Sequence, residues 1–197
     1  PVGMTYQNRR GKNQTLFDSP ADWVSPNSEG GFRDDPPDLK GTKVVLSDTD
    51  HLWGIGGDAT WVWKSFTRGS NPIFMDTYEG KVLGKVRPQD DGPRRAMGQA
   101  LRLSRMIDLA KSTPQHELAS TGYCLAESGV SYIVFAPEGG KLTLDLSAAS
   151  GEFTAEWIDP VAGTRSPAGP VGGGARQSFS ASSDAAVVLF LKRSSQP

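Results

Sequence analysis

Residues 43–76, KVVLSDTDHLWGIGGDATWVWKSFTRGSNPIFMD, constrain the fold of this chain more than any other segment. They contain two short apolar runs, Lys43 to Ser47 and Pro72 to Met75, and each run is followed by acidic residues. Consecutive apolar residues are typical of strands that are buried on both faces of a parallel sheet. The segment therefore predicts two parallel strands whose acidic carboxyl ends share one edge of a sheet, the edge where α/β folds bind ligands.

Helix signals lie between and after these two runs. Asp58 is a good N-cap for a helix from Ala59 to Arg68, and Gly69 suits the position after its end. A longer helix is predicted from Pro93 to about Ser112, because small and apolar residues recur there at three and four positions. With a first strand at Pro1 to Gln7 and a loop from Asn8 to Lys40, the element order is typical of an α/β barrel.

The pattern changes near Pro114. Leu142, Leu144 and Leu146 alternate with polar residues, as do Phe153 and Trp157 further on, and this period of two predicts strands with one buried face. The segments 159–163 and 169–174 are predicted to be turns. The second part of the chain is thus predicted to be an antiparallel sandwich with strands at Tyr123–Ala126, Ser131–Ala136, Lys141–Leu146, Glu152–Ile158, Arg176–Ala181 and Ala185–Lys192.

Charge and cysteine content exclude several classes of protein. The formal net charge is −1 over 197 residues, which gives no electrostatic reason to expect nucleic acid or an anionic membrane as a partner. Neutral ligands such as carbohydrates fit better. Cys124 is the single cysteine, so an intrachain disulfide or a multi-cysteine metal site is ruled out and a buried thiol is expected. No apolar run approaches the length that spans a bilayer.

Several segments together resemble the C-terminal half of the apiosidase-like glycoside hydrolase family. These are GMTYQ, LFDSPADWVSP, the DTDHLWG block with its flanks, ASTGYCLA and LTLDLSAASGEFTAEWIDPVAG. The family has a (β/α)8 barrel followed by a small sandwich that carries the label of a collagen-binding domain of a collagenase. The resemblance covers nearly the whole chain, and DTDHLWG is its most specific part. No aromatic groove or basic patch in the sequence supports collagen binding.

The resemblance implies a C-terminal portion of a TIM barrel in residues 1–117, holding barrel strands six to eight, and an antiparallel β-sandwich in residues 118–194. It implies hydrolysis of a glycosidic bond in a carbohydrate, such as a polysaccharide side chain from plants or other sources, outside the cytoplasm and without a cofactor. In related barrels the acid/base lies on the fourth strand. We therefore expect the partner of this chain to be the rest of the barrel, upstream of Pro1, and the chain alone to be inactive.

Asp48 and Asp50 are the candidate catalytic residues. If the strand continues through them, their carboxylates share one face. Paired carboxylates suit glycoside hydrolysis, in which one group donates a proton and another acts as nucleophile or base. In the alternative interpretation Asp48 caps a turn, and Asp50 holds His51 or a backbone amide.

Substrate-binding candidates surround this pair. His51 either orients a sugar hydroxyl or is a packed histidine bonded to a neighbouring aspartate. Trp53 is the candidate stacking platform for the apolar face of a sugar, whereas Trp61 and Trp63 are interpreted as helix residues packed in the core. No metal is expected. Further candidates follow the predicted strands; they are Asp76, Tyr78 and Gln7.

Other functions are disfavoured or remain open. The run GIGGD at residues 54–58 lacks both the GK[ST] ending and the full GxGxxG spacing, which disfavours nucleotides and phosphosugars. Its expected role is a tight backbone turn beside the site. The open alternative is a non-catalytic module that binds polysaccharide or matrix protein on a degenerate barrel scaffold.

Overall fold

The computed structural model describes residues 1–6, 12–41, 43–53, 56–75, 78–79, 82–83 and 88–194. The fold mixes helices with one parallel sheet and several antiparallel strands. The helices are α1 (Asn13–Asp18), α2 (Thr49–Leu52), α3 (Ala59–Thr67) and α4 (Asp91–Ser104), and 3-10 turns span Glu29–Gly31, Pro88–Asp90 and His116–Leu118. No helix in the described ranges is long and apolar enough to cross a membrane.

The first part of the chain forms a parallel sheet. Its four strands are β1 (Gly3–Thr5), β2 (Trp23–Ser25), β3 (Val44–Asp48) and β4 (Asn71–Ile73), and they lie side by side in chain order. Trp23 lies across Gly3 so closely that a Cβ at residue 3 would come within 1.7 Å of the indole. Glycine is therefore required where the first two strands meet. A small antiparallel hairpin follows, made of β5 (Tyr78–Glu79) and β6 (Val82–Leu83).

The second part consists of antiparallel strands. Six of them form one sheet in the order β12-β11-β14-β9-β8-β7, and the other two, β10 and β13, pair separately. The bounds are β7 (Thr113–Pro114), β8 (Cys124–Glu127), β9 (Ser131–Ala136), β10 (Lys141–Asp145), β11 (Glu152–Ile158), β12 (Arg165–Gly172), β13 (Arg176–Ser180) and β14 (Val187–Arg193).

The central strands of the six-stranded sheet are covered on both faces, whereas the edge strand β12 is largely exposed. Along β9, Tyr132 and Val134 point to a core shared with β10 and β13, whereas Ile133 and Phe135 point to a core shared with α3 and α4. Trp63 of α3 stacks on Phe135 with 6.3 Å between ring centroids. Because this second core also contains residues of β2 and β3, the parallel and antiparallel parts are joined by continuous apolar packing.

The segment from Asn8 to Lys40 is mostly loop over its described length, as expected, but it also holds regular elements that were not expected. It contains α1, with Leu16 buried, and strand β2, with Val24 fully buried. Each element buries only one or two apolar side chains. Elements of six and three residues are too short to produce a visible period in the sequence, so neither of them was predicted.

Two other boundaries also differ from expectation. Helix α4 ends at Ser104 rather than near Ser112, because Asp108 accepts hydrogen bonds from the amides of residues 110, 111 and 112 and forms a turn of its own. The segment 169–174, expected to be a turn, belongs to β12 as far as Gly172. This strand tolerates Pro167 and Pro170 because it lies at the edge of the sheet.

Other expectations are confirmed. Asp58 caps α3 by accepting a hydrogen bond from the Trp61 amide at 2.7 Å, and Gly69 follows the helix with a φ of 85°. Strands β9 and β11 have the expected bounds. Cys124 is fully buried, and burial raises the pKa of its thiol well above the ordinary value. The thiol is therefore a packing group rather than a nucleophile.

Candidate active site

The candidate site lies at the carboxyl ends of the parallel strands. Parallel strands bring these ends to a single edge, and hydrogen bonds tie neighbouring ends together there. The amide of Tyr6, after β1, donates to the Ser25 carbonyl at the end of β2 at 3.0 Å. The amide of Met75, after β4, donates to the Thr49 hydroxyl at the end of β3 at 2.8 Å. The edge is therefore a connected rim.

Asp48 is the last residue of β3. Val45 and Ser47 of this strand are buried, whereas Val44, Leu46 and Asp48 alternate with them on the less covered face. Oδ1 of Asp48 accepts a hydrogen bond from the Asp50 amide at 3.0 Å, so Asp48 is the N-cap of α2. The Asp48 part of the alternative interpretation agrees with this contact, whereas the catalytic role of Asp48 stays a prediction.

Asp50 does not continue the strand. The chain turns into α2 at Thr49, so the expectation of two carboxylates on one strand face is wrong. The reason is local, because the Asp48 side chain captures the Asp50 amide that a strand would have given to its neighbour. Asp50 is exposed, and within the described ranges its carboxylate has no hydrogen bond or ion pair. It is an acceptor available to a ligand at the rim.

His51 is held by a different strand. Its Nδ1 lies 2.9 Å from the hydroxyl of Ser25, at the end of β2. The ring is therefore fixed between two strand ends, by a hydroxyl rather than by a neighbouring aspartate. Fixing Nδ1 leaves Nε2 as the nitrogen that can contact a ligand.

Trp53 ends α2 beside the two acids. Its ring meets Trp61 edge to face with 5.2 Å between centroids, and the Arg33 guanidinium lies 5.6 Å from its centroid. Trp53 is half-buried, whereas Trp61 and Trp63 are buried in the core. Trp61 donates from Nε1 to the Phe32 carbonyl at 3.3 Å. The structural interpretation of the two helix tryptophans is confirmed, and Trp53 is the indole at the rim.

The described part of the glycine segment before α3 packs closely against neighbouring side chains, and the tight turn expected of the whole run 54–58 stays a prediction. Gly57 has a φ of 94°, and a Cβ there would come within 3.0 Å of the Thr49 methyl group and 3.5 Å of the Trp61 ring. The close packing of backbone against both side chains explains the need for glycine. Gly54 and Ile55 lie outside the described residues.

Three candidates are not brought into the site by the described structure. Gln7 and Asp76 lie outside the described residues. Tyr78 starts the hairpin strand β5, and only its backbone is described. These candidates remain predictions.

Potential metal ligands cluster elsewhere. In the described part of the chain, the group of side chains with suitable spacing is Asp38, His116 and Glu117, whose ligand atoms lie within 4.8 Å of one another. The ammonium of Lys40 lies 3.6 Å from Asp38 and 3.8 Å from Glu117. Arg68 also pairs with Asp38, at 2.8 Å. These cations already balance the carboxylates, so the group is an ionic network rather than a metal centre.

The most voluminous of the described cavities does not belong to the candidate site. It has a volume of about 400 Å³ and is lined by Val44 and Asn71, where β3 and β4 begin, and by Phe66 and Pro114. It therefore lies at the amino ends of the strands. None of the candidate catalytic or binding residues lines it. The candidate site is therefore defined by its acidic, histidine and tryptophan side chains and not by this cavity.

Sequence reasoning missed two contributors, Ser25 and Arg33. Ser25 lies 26 residues before its partner His51, and β2 is too short to be recognised. A usable signal was present, however, in the run Trp23-Val24-Ser25 bounded by Asp22 and Pro26, which is a short apolar segment between turn formers. Arg33 gave no signal, because its contact with Trp53 depends on the path of a long loop.

Comparisons with known proteins support a relationship with glycoside hydrolases at the level of fold. No family model and no curated protein matches the chain. A solved structure named glycoside hydrolase shares 16% identity over 81% of this chain and 44% of its own length, with a TM-score of 0.60. A family 5 glycoside hydrolase from Bacteroides vulgatus ATCC 8482 shares 15% identity over 95% of this chain and 55% of its own, with a TM-score of 0.66. The chain thus spans about half the length of these structures and shares the fold of that half.

Proposed function

We propose that this chain is the C-terminal part of a glycoside hydrolase that cleaves O-glycosidic bonds with a pair of carboxylic acids. The observation that carries the proposal is the position of Asp50, an exposed carboxylate in α2 just past the carboxyl end of β3, between Asp48, which caps α2, and the fixed His51. Carboxylates at this edge of a parallel α/β sheet are placed for catalysis. The shared fold of glycoside hydrolases is consistent with this role.

The proposal includes the architecture. The four parallel strands with their helices would be the last four strands of a (β/α)8 barrel, within residues 1–117, and the remaining strands would precede Pro1 in the full-length protein. In such a barrel, with β2 added to the parallel sheet, Gly3–Thr5 would be the fifth strand rather than the sixth. Residues 118–194 would be an accessory sandwich. The apiosidase-like family and an extracytoplasmic location are part of the same proposal.

The rim residues divide the work by chemistry. Asp48 and Asp50 supply carboxylates, and the second group of the catalytic pair can also come from the proposed upstream strands. His51, held by Ser25, would hydrogen-bond a sugar hydroxyl through Nε2. Trp53 would stack on the apolar face of a sugar ring. Asp76, Tyr78 and Gln7 would complete the rim from the neighbouring strands.

The test is turnover of the full-length protein on aryl glycosides and on plant polysaccharides. Asp50→Asn is expected to lower kcat/KM by about 10³-fold or more, because the amide can neither ionise nor transfer a proton. Asp184→Asn is the matched control, since Asp184 is another exposed aspartate, in the antiparallel part and away from this edge. Asp48→Asn preserves the helix cap, because asparagine caps as well as aspartate, and so tests chemistry rather than folding.

An unchanged rate in Asp50→Asn and Asp48→Asn would remove both residues from the mechanism. Absence of turnover in the wild-type full-length protein would instead favour the alternative, a binding module on a degenerate scaffold. Its candidate surface has little support at present, because the outward residues of β10 and β13 are polar or charged, such as Lys141, Arg176 and Ser178, and offer no stacking surface.

A further inference from the structure

The loop between β2 and β3 connects the candidate site to the antiparallel part of the molecule. We call residues 26–41 the rim loop. Its middle contacts the site, because Arg33 lies over the Trp53 ring and the Phe32 carbonyl accepts from Trp61. Asp35, further along the loop, contacts Tyr123 of the antiparallel part. The chain that surrounds the site is therefore supported from outside the parallel sheet.

The first outside support is Tyr123, which precedes β8. Its hydroxyl donates to Asp35 Oδ1 at 2.7 Å across 88 residues of sequence. Tyr123 is 8% exposed, and burial together with the bond to Asp35 raises the pKa of its phenol, so the group remains a donor. The cations of Lys64 and Arg68 lie 5.3 and 5.0 Å from the centroid of its ring and hold the ring in place.

The second support is Arg68, just after α3. It pairs with Asp38 at 2.8 Å and with Asp35 at 3.8 Å, and its carbonyl accepts from the amide of Leu39 at 2.9 Å. His116 bonds the other oxygen of Asp38. Burial of Asp38 opposes its ionisation, but the hydrogen bonds from His116 and Arg68 prevail and hold the pKa of its carboxyl below the ordinary value.

We infer that Tyr123 is a positioning residue, through which the antiparallel part holds the rim loop and thereby places Arg33 over Trp53. This inference rests on the proposed function for its effect on a substrate. Because Asp35 is two residues from Arg33, a shift of Asp35 changes the position of the Arg33 guanidinium relative to the indole of Trp53. Arg33 itself has only a weak local tie, an ion pair of 3.5 Å to the neighbouring Asp34, and both side chains are at least half exposed.

The position of Arg33 matters because it covers part of the indole that a sugar would use. An aromatic ring binds either a guanidinium or the apolar face of a sugar over the same area. A more mobile rim loop would therefore change how often Arg33 covers the Trp53 ring, and with it the affinity for the substrate. The carboxylates of Asp48 and Asp50 are fixed by β3 and α2 and would not move with the loop. The expected effect is on KM rather than on kcat.

The experiment compares Tyr123→Phe with Tyr132→Phe in the full-length protein. Both variants lose one hydroxyl from a buried tyrosine, but Tyr132 bonds the Gly129 amide at 2.7 Å in the core on the far side of the sheet. Hydrogen exchange of the amides of Asp35 and Leu39 is the first readout. Tyr123→Phe should accelerate their exchange about tenfold, and Tyr132→Phe should leave them unchanged.

Steady-state kinetics is the second readout. Tyr123→Phe should change KM several-fold while kcat stays within about twofold. Asp35→Asn, which keeps an acceptor for the tyrosine, should have a smaller effect than Asp35→Ala. If Tyr123→Phe folds poorly, the two Asp35 variants test the same contact. Asp35 is on the surface, so its substitution should not impair folding.

The outcomes are separable. Unchanged exchange at Asp35 and Leu39 in folded Tyr123→Phe and Asp35→Ala would overturn the inference whatever the activity. Faster exchange with an unchanged KM, or with a loss confined to kcat, would overturn the link to the platform. A third outcome combines faster exchange in Tyr123→Phe with a wild-type protein that cleaves no glycoside. It would support the positioning contact and contradict the proposed function.

Discussion

The parallel and antiparallel parts of this molecule differ in how completely they are buried. All six residues of β9 are buried, whereas all three residues of β1 are exposed. Most of the large apolar side chains that are exposed in the described structure belong to the parallel part, namely Val2, Met4, Val44, Ile73 and Met75. The antiparallel part therefore supplies packing, and the parallel part supplies polar strand ends and an uncovered face.

The two parts nevertheless share one core. Trp63 of α3 packs on Phe135 of β9, and its Nε1 donates to the Pro160 carbonyl at 2.9 Å. A helix from the parallel part thus covers one face of the antiparallel sheet. The site region is therefore packed against the antiparallel sheet through α3, and one apolar core spans both parts.

The largest effect is expected from Phe135→Ala. Removing a fully buried phenylalanine should lower the free energy of unfolding by about 3–5 kcal/mol, and because the core is shared, both parts should lose stability together. Denaturant unfolding followed by tryptophan fluorescence and by far-UV circular dichroism measures this. Two separated transitions, with only the antiparallel part weakened, would contradict the shared core. Val130→Ala, at an exposed site, is the control.

A smaller effect is expected at the ionic contact between the two parts. The folded-state pKa of Asp38 is depressed, so its contribution is fully present above the pKa of an unfolded carboxyl and is lost as pH falls through the folded value. Asp38→Asn should cost about 1 kcal/mol at pH 6, and the difference from wild type should shrink toward pH 3. The groups that face this carboxyl are Arg68, His116, Lys40, Asp35 and Glu117.

Urea titrations at several pH values check this prediction. A difference between wild type and Asp38→Asn that stays constant from pH 6 to pH 3 would show that the carboxylate contributes no charge-dependent stability. Asp145→Asn is a comparison within the antiparallel part, where hydrogen bonds from Ser147 and Arg176 lower the pKa of Asp145 to about 2.

The same contrast explains what could be predicted from the sequence. Strand β9 is a continuous apolar run and β11 has an alternating pattern, and the bounds of both were predictable. The cap of α3 was predictable because Asp58 and Trp61 are three residues apart. Strand β2 was not predictable from periodicity, because three residues are too few to show a hydrophobic period.

The contacts that complete the site are long-range. His51 meets Ser25 across 26 residues, and Tyr123 meets Asp35 across 88. The turn into α2 at Thr49 was also missed, because the choice between strand and helix there is made by one side-chain hydrogen bond from Asp48. The sequence located the edge of the sheet that carries the acids, but not the geometry of the acids themselves.

The most direct test of the central claim is a crystal structure of the full-length protein with a bound iminosugar, whose ring nitrogen mimics the positive charge of the glycosidase transition state. We expect this nitrogen to lie about 3 Å from a carboxylate oxygen of Asp48 or Asp50, with the sugar ring beside Trp53. An iminosugar bound in the cavity at Val44 and Asn71, or on the antiparallel sheets, would contradict it.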